Sequence, residues 1–239
     1  MAGMVAARLE FKIQDCMLLG IAFGNRPRGA RPDVKECGLE DAGQPATRPG
    51  GRSRASLTRD AWLEAARKVL EKKGIAAVKV DQLARQLKVT RGSFYFHFSA
   101  LKDLQDGLVE LWRQRNCAPF LALEQGDLRG EDLFAEVFRI WVSEESYSPP
   151  LDLAIRDWGR SSRTLAAEME AADALRIALL ARAFREMGYG EDESIVRARI
   201  SYLHQIGYYA VGFREPAADR KRYQPIYGKV LVGEPDGSP

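Results

Sequence analysis

Apolar side chains recur at Trp62, Ala65, Ala66, Val69 and Leu70, three and four residues apart, so the spacing predicts a helix with one stripe facing a core. Thr58 can cap this helix, Asp60 suits its first turn, and Lys72, Lys73 and Gly74 mark its end. A shorter amphipathic segment follows, with Val80, Leu83, Ala84 and Leu87 on one face and Arg85, Gln86 and Lys88 on the other. Thr90 can then cap a third helix that opens with Arg91, Gly92 and Ser93 and runs into Phe94-Tyr95-Phe96-His97-Phe98. Two short helices joined by a tight turn make a helix-turn-helix. When such a motif reads DNA, its second helix offers its first residues to base edges in the major groove, and small, polar or basic side chains suit those positions.

Farther along, helical periodicity returns at about 131–143, 151–159, 163–187 and 192–214, with Gly188, Gly190 and the pair Pro149-Pro150 as breaks. No stretch alternates like a strand, so the predicted fold class is all-α. In the last of these helices Val196, Ile200, Leu203, Gly207 and Ala210 form one stripe, and Tyr202, Ile206, Tyr209 and Phe213 form another beside it. A face that wide can bury one stripe in its own domain and offer the other, with small Gly207 and Ala210, to a partner helix. The plainer alternative is a fully buried helix of a monomer. From Gly20 to Gly51, Gly and Pro supply 11 of 32 residues and no apolar period survives, so a disordered leader is expected there. The expected organisation is a leader over 1–52, a helix-turn-helix domain over 53–108, a helical regulatory domain over 109–226 and a flexible tail over 227–239.

Charge adds a reason to take the second short helix seriously. Residues 1–47 carry six basic and six acidic side chains, residues 48–104 thirteen basic and five acidic, and residues 105–239 seventeen basic and twenty-two acidic. A compact basic segment joined to a longer acidic one fits a polyanion-binding module attached to something with another task. A solvated basic helix face would look the same on charge alone. Other chemistries have little to work with. Cys16, Cys37 and Cys117 lie 21 and 80 residues apart, and the histidines, His97 and His204, have no carboxylates clustered around them, so neither a metal nor a cofactor is expected. Ser99-Ala100-Leu101-Lys102 matches the S-x-x-K pattern of serine hydrolases, but at a helix start and without a companion motif it is a chance match. No apolar run approaches the roughly 18 residues of a membrane span, and the opening residues do not read as a secretory signal, so a cytoplasmic protein is expected.

The stretch Val80-Asp81-Gln82-Leu83-Ala84-Arg85-Gln86-Leu87-Lys88-Val89-Thr90-Arg91-Gly92-Ser93-Phe94-Tyr95-Phe96-His97-Phe98 resembles the DNA-binding domain of the TetR family of bacterial transcriptional regulators. The resemblance is strong over about 55–112 and extends over the rest only in length and helical content. It implies that Thr90, Arg91 and Ser93, with Gly92 between them, face the groove of double-stranded DNA. Tyr95 and His97 would touch backbone phosphates, Phe94 and Phe98 would pack inside, and Phe96 would lie near the DNA surface. Ser99 would cap the next helix, presenting Lys102 and backbone amides to a phosphate. Arg48, Arg52 and Arg54 resemble a flexible basic arm. The chain departs from the family pattern at Lys79 in place of a hydroxyl cap, Lys88 in place of the turn glycine and Leu101 in place of a basic residue. Lys88 requires either a left-handed conformation or a different turn.

The resemblance also implies a homodimer built by pairing the last two long helices into a four-helix bundle, here 171–187 and 192–214, with Val196, Ile200, Leu203, Gly207 and Ala210 at the seam. It implies an unidentified small-molecule effector, for which Trp141, Tyr147, Trp158, Tyr202, His204 and Tyr208 could line a pocket, although aromatic residues at helical spacing are more often core. The function expected is therefore a ligand-responsive repressor acting as a homodimer on a palindromic operator. The alternative is an all-helical enzyme or small-molecule-binding protein whose basic domain is incidental. Against an enzyme stands the lack of a nucleophile with its base, of metal-ligand spacing and of a phosphate loop.

Overall fold

The computed structural model describes residues 58–142, 146–212 and 216–233. Among these residues the regular elements are helices, with no strand. The first is α1 (Arg59–Lys73), which begins where the Thr58 hydroxyl accepts from the Ala61 amide at 3.3 Å and ends at Gly74, whose φ of 75° turns the chain away. A short 3-10 turn (Ile75–Ala77) leads into α2 (Val80–Leu87) and α3 (Arg91–Tyr95). Trp62, Ala65, Ala66, Val69 and Leu70 of α1 are buried together with Leu83, Ala84, Phe94 and Phe98, so the apolar stripes of the first three helices share one core.

Next comes α4 (Leu101–Trp112), which widens into a π turn (Arg113–Cys117) before continuing as α5 (Ala118–Gln125). Pro119 explains the widening. It has no amide to return to the carbonyl four residues back, and the Ala118 amide instead reaches Arg113 O, five residues back. The helix therefore runs through the expected boundary at 108/109, and Trp112 belongs to the core of the N-terminal head. Ser99 does not cap it as expected. Ala100 holds the cap position, and Ser99 donates its amide (2.9 Å) and hydroxyl to the Asp103 carboxylate in the first turn.

The remaining helices are α6 (Gly130–Val142), α7 (Pro149–Gly159), α8 (Arg163–Glu186), α9 (Glu191–Val211) and α10 (Ala217–Val232). Pro149 and Pro150, expected as a break, open α7, where the missing amides cost nothing because first-turn amides have no helical partner. Phe134, Phe138, Trp141, Leu180, Phe184 and Tyr202 form the core of this half, with α8 central to it. The head does not stand apart, since Leu151 and Ile155 of α7 and Leu165 and Met169 of α8 complete its core.

One expectation about the C-terminal part needs correction. The tail expected over 227–239 is helical through Val232, where Leu231 and Val232 are buried and the Tyr189 hydroxyl donates to Val232 O at 2.6 Å. The segment expected over 171–187 falls on α8, which buries Arg176, Leu179, Leu180, Ala183 and Phe184 inside the domain and leaves Ala171, Ala174 and Ala178 exposed. The expected leader, Arg48, Arg52 and Arg54, and Phe213, lie outside the described residues.

Candidate nucleic-acid interface

The turn from α2 to α3 hangs on Lys88. Its φ of 58° and ψ of 39° place it in the left-handed region, and its amide closes α2 on the carbonyls of Ala84 and Arg85. Of the two ways a lysine could replace the family's turn glycine, the chain takes the left-handed one, and Lys88 is the only non-glycine residue with positive φ among the described residues. From that turn α3 is locked inward by aromatic packing. The Phe94 ring meets Trp62 edge-on at 5.3 Å and stacks on Phe98 at 5.1 Å, while the Arg59 guanidinium lies 5.0 Å above the Phe98 ring. The inward pair is thus Phe94 and Phe98.

What remains of α3 points to solvent. Thr90, Arg91, Gly92 and Tyr95 are exposed, Ser93 and His97 are half-buried, and Phe96 is 88% exposed. A large apolar ring left so open cannot be explained by the head's own packing. Nor is Gly92 required by it, because a Cβ there would meet nothing nearer than the Thr90 hydroxyl at 3.8 Å. Thr90 sits at the cap position of α3 without a side-chain capping bond, so its hydroxyl is not committed to the helix end. Arg91 is held loosely. Its guanidinium lies 3.6 Å from the Asp81 carboxylate and donates to the Tyr95 hydroxyl at 3.5 Å, contacts that keep its proton above the ordinary arginine range, the Tyr95 bond contributing most. On the neighbouring helix Lys102 pairs with Asp106 in the open, and exposed pairs of this kind are weak.

A basic, solvent-facing helix start on a rigid three-helix support can enter a major groove, and residues 63–104 match the family model described as bacterial regulatory proteins, tetR family. The chain carries a DNA-binding domain of the tetR type over these residues. It is a DNA-binding transcriptional regulator. Among solved structures, a transcriptional regulator from Rhodococcus sp. Rha1 is 18% identical, with a TM-score of 0.50 over 74% of this chain and 95% of that one. AmtR of Mycobacterium smegmatis is 17% identical, with a TM-score of 0.53 over 80% of this chain and 90% of that one. At these identities the likeness is one of fold, an N-terminal helix-turn-helix head on a helical domain. No curated protein matches the chain.

The six residues expected around an effector do not gather in one place. Trp141, Tyr147 and Tyr202 are buried in the core of the helical half, where Trp141 lies 6.0 Å from Tyr202 and the Phe120 ring sits 5.7 Å from Trp141 and 6.2 Å from Tyr147. Trp158 packs instead against the head's core. His204 and Tyr208 lie beside each other near the surface, with the His204 ring 5.0 Å from Tyr227 of α10.

Beside the first group lies a polar cluster that the sequence reading did not single out. Arg176 is fully buried, and its guanidinium donates to Asp152 at 3.0 Å and to Asn116 O at 2.9 Å while stacking over Phe120 and Tyr147. Asp152 also accepts from the Trp112 indole at 2.9 Å, so the last residue of α4 is tied to α7 and through it to α8. Burial alone would raise the Asp152 pKa, but Arg176, Trp112 and Arg156 outweigh it and hold the carboxyl below its ordinary range. Arg156 completes the cluster through Asp173 (2.6 and 2.8 Å) and Tyr202 (3.1 Å). The nearby Cys117 thiol is pushed up to about 12 by burial, so it is no nucleophile at neutral pH.

The expected seam on α9 is open. Val196, Ile200 and Leu203 are more than half exposed, Ala210 is exposed, and a Cβ on Gly207 would touch nothing. The neighbouring stripe, Tyr202, Ile206 and Tyr209, packs inward as expected.

Proposed function

We propose that this regulator is a repressor that binds a palindromic operator as a homodimer in the cytoplasm and is released by a small molecule bound in its helical half. The observation that carries the DNA side is α3. Phe94 and Phe98 fix it to the head while Arg91, Tyr95 and Phe96 face outward. On this reading Thr90, Arg91 and Ser93 face base edges, and Gly92 lets the helix start approach them. Tyr95, His97 and Lys102 contact phosphates, Phe96 lies against the DNA surface, and Arg54 belongs to an arm that follows the backbone.

The dimer rests on the open stripe of α9, and on α10 Ile226 and Val230 are likewise more than half exposed. An apolar surface of that kind on two adjacent helices fits a second copy, and a two-fold axis there would hold two heads about one turn of DNA apart. No enzymatic activity is assigned. The test is selection of preferred duplexes from a random pool by the full-length protein, with sedimentation of the complex. We expect two inverted half-sites about 10 base pairs apart, bound by two copies. Duplex binding without sequence preference, or tight binding by one copy, would exclude this reading in favour of a helical protein whose basic head is incidental.

A further inference from the structure

Between the end of α1 and the start of α7 lies a cleft of about 540 Å3, lined by Leu70 and Lys72 of the head and by Pro149, Leu153, Asp157 and Tyr209 of the helical half. Tyr209 is the one lining residue that also contacts the aromatic core of the helical half. The Tyr209 hydroxyl donates to Trp141 O at 2.7 Å, and its ring lies 6.4 Å from the Tyr147 ring. Behind it, four polar atoms on fully buried residues have no protein partner, namely the Tyr147 hydroxyl, the Trp141 indole N–H, the Arg176 Nε–H and Asn116 Oδ1. These residues are mutual neighbours, since Arg176 stacks on Tyr147 and on Phe120, Phe120 lies against Trp141, and Arg176 donates to the Asn116 carbonyl. Native interiors leave few such groups, and each costs free energy until something pairs with it.

Their chemistry defines the missing partner. Three of the four are donors, so the partner must offer acceptors, and Asn116 Oδ1 asks for one donor in return. The surrounding walls are aromatic, so a flat molecule fits. The local charges already cancel, with Asp152 and Asp173 paired to Arg156 and Arg176, so an added ion would be buried without a counter-ion. We propose, resting on the ligand-responsive reading above, that the cleft beside Tyr209 and the Tyr147, Trp141 and Asn116 cluster behind it form the effector site. Its ligand is a small uncharged aromatic molecule bearing a carbonyl acceptor and an N–H or O–H donor. Entry moves Tyr209 off Trp141 O. Because Leu70 and Lys72 belong to α1, a molecule in the cleft bears directly on the head, and occupancy changes operator affinity.

The probes are salicylamide, salicylate and 2-hydroxybenzylamine, which share a ring and a hydroxyl and differ in charge. Each is added at matched millimolar concentration to the full-length protein, read by melting temperature and by titration of its selected duplex. We expect salicylamide alone to raise the melting temperature and to weaken duplex binding at least fivefold. Tyr147→Phe removes an unpartnered hydroxyl without changing shape, so it should fold normally and bind salicylamide three- to tenfold more weakly. Leu153→Trp fills the cleft and should abolish the response while duplex binding without ligand persists. Protection by none of the three, equal protection by the acid or the amine, or an unchanged salicylamide affinity in both variants overturns the proposal. Failure here with intact sequence-selective duplex binding leaves the regulator reading standing, whereas loss of that binding without any ligand would sink the reading itself.

Discussion

At the scale of single residues, the DNA-facing side chains and the buried charges obey opposite rules. Arg91 is exposed, and its partners in the free protein are weak because water competes for both. Its value comes from what it meets on DNA. Arg91→Ala should cost about 1–3 kcal/mol on the selected site and relax preference at one position per half-site, as duplex titrations on single-base variants would show. A uniform loss on all sequences would make it a phosphate ligand instead. Asp81→Asn should act in the other direction, tightening all duplexes a few-fold by freeing Arg91 and removing a negative charge near phosphates. Asp152 is the reverse case. Its folded pKa is lowered, so its stabilising contribution is complete above about pH 4, the ordinary carboxylate range, and is lost as the pH falls through the folded value. Asp152→Asn leaves Arg176 buried with only the more distant Asp173 carboxylate, at 3.5 Å, against it and should cost about 3–5 kcal/mol at neutral pH, with a flatter stability profile below pH 4 than the parent. Denaturant unfolding across pH checks both, and the double variant Asp152→Asn, Arg176→Met should recover much of the loss.

Among the elements, legibility followed amphipathicity. The stripes of α1 and α2 each have a polar face opposite, so spacing alone located them and their inward sides, whereas the inward pair Phe94 and Phe98 of the aromatic run was implied by the resemblance. The same holds for α9, where the two adjacent stripes were separable in sequence and separate in exposure. What escaped is what breaks the pattern. In α10 the few apolar residues follow a charged run and Pro225, so no period announces a helix, yet burial of Leu231 and Val232 holds it to the domain. Arg176 was hidden for a related reason, although a signal existed: Leu165, Met169, Leu180 and Ala183 mark the buried stripe of α8, and Arg176 falls on it at position +7 from Met169. A charge on an apolar stripe asks for a buried partner, and Asp152, flanked by Leu151 and Ile155, is the matching anomaly on α7. The expected effector residues dispersed because aromatic spacing along one helix does not say which neighbour it meets. The α2–α3 turn, by contrast, was readable down to Lys88, and it carries its own test. Lys88→Gly removes left-handed strain and should stabilise the head by about 0.5–1 kcal/mol in denaturant titrations without altering operator preference.

For the whole molecule, the question is how two heads are kept at a fixed separation, and the answer turns on α9. If Gly207 and Ala210 lie where two copies of α9 cross, their small side chains set the closest approach of the helices. A single chain gives no reason for either to be small, since a Cβ on Gly207 meets nothing and Ala210 is exposed. Gly207→Leu or Ala210→Leu should therefore leave the monomer folded, with a cooperative melt and an unchanged helical signal. At the seam the same leucine forces the copies apart by overpacking, at a typical cost of about 1–3 kcal/mol. Each head alone holds only one half-site, so weakening the dimer removes the gain from joining two binding events and operator affinity should fall steeply. Affinity for an isolated half-site should not change, because α3 and its aromatic lock lie in a different core from α9. Sedimentation of both variants, with titrations on full and half operators, separates these effects. Variants that stay dimeric and bind normally would move the interface off this stripe, and a parent protein that binds its full operator tightly as a monomer would remove the need for one.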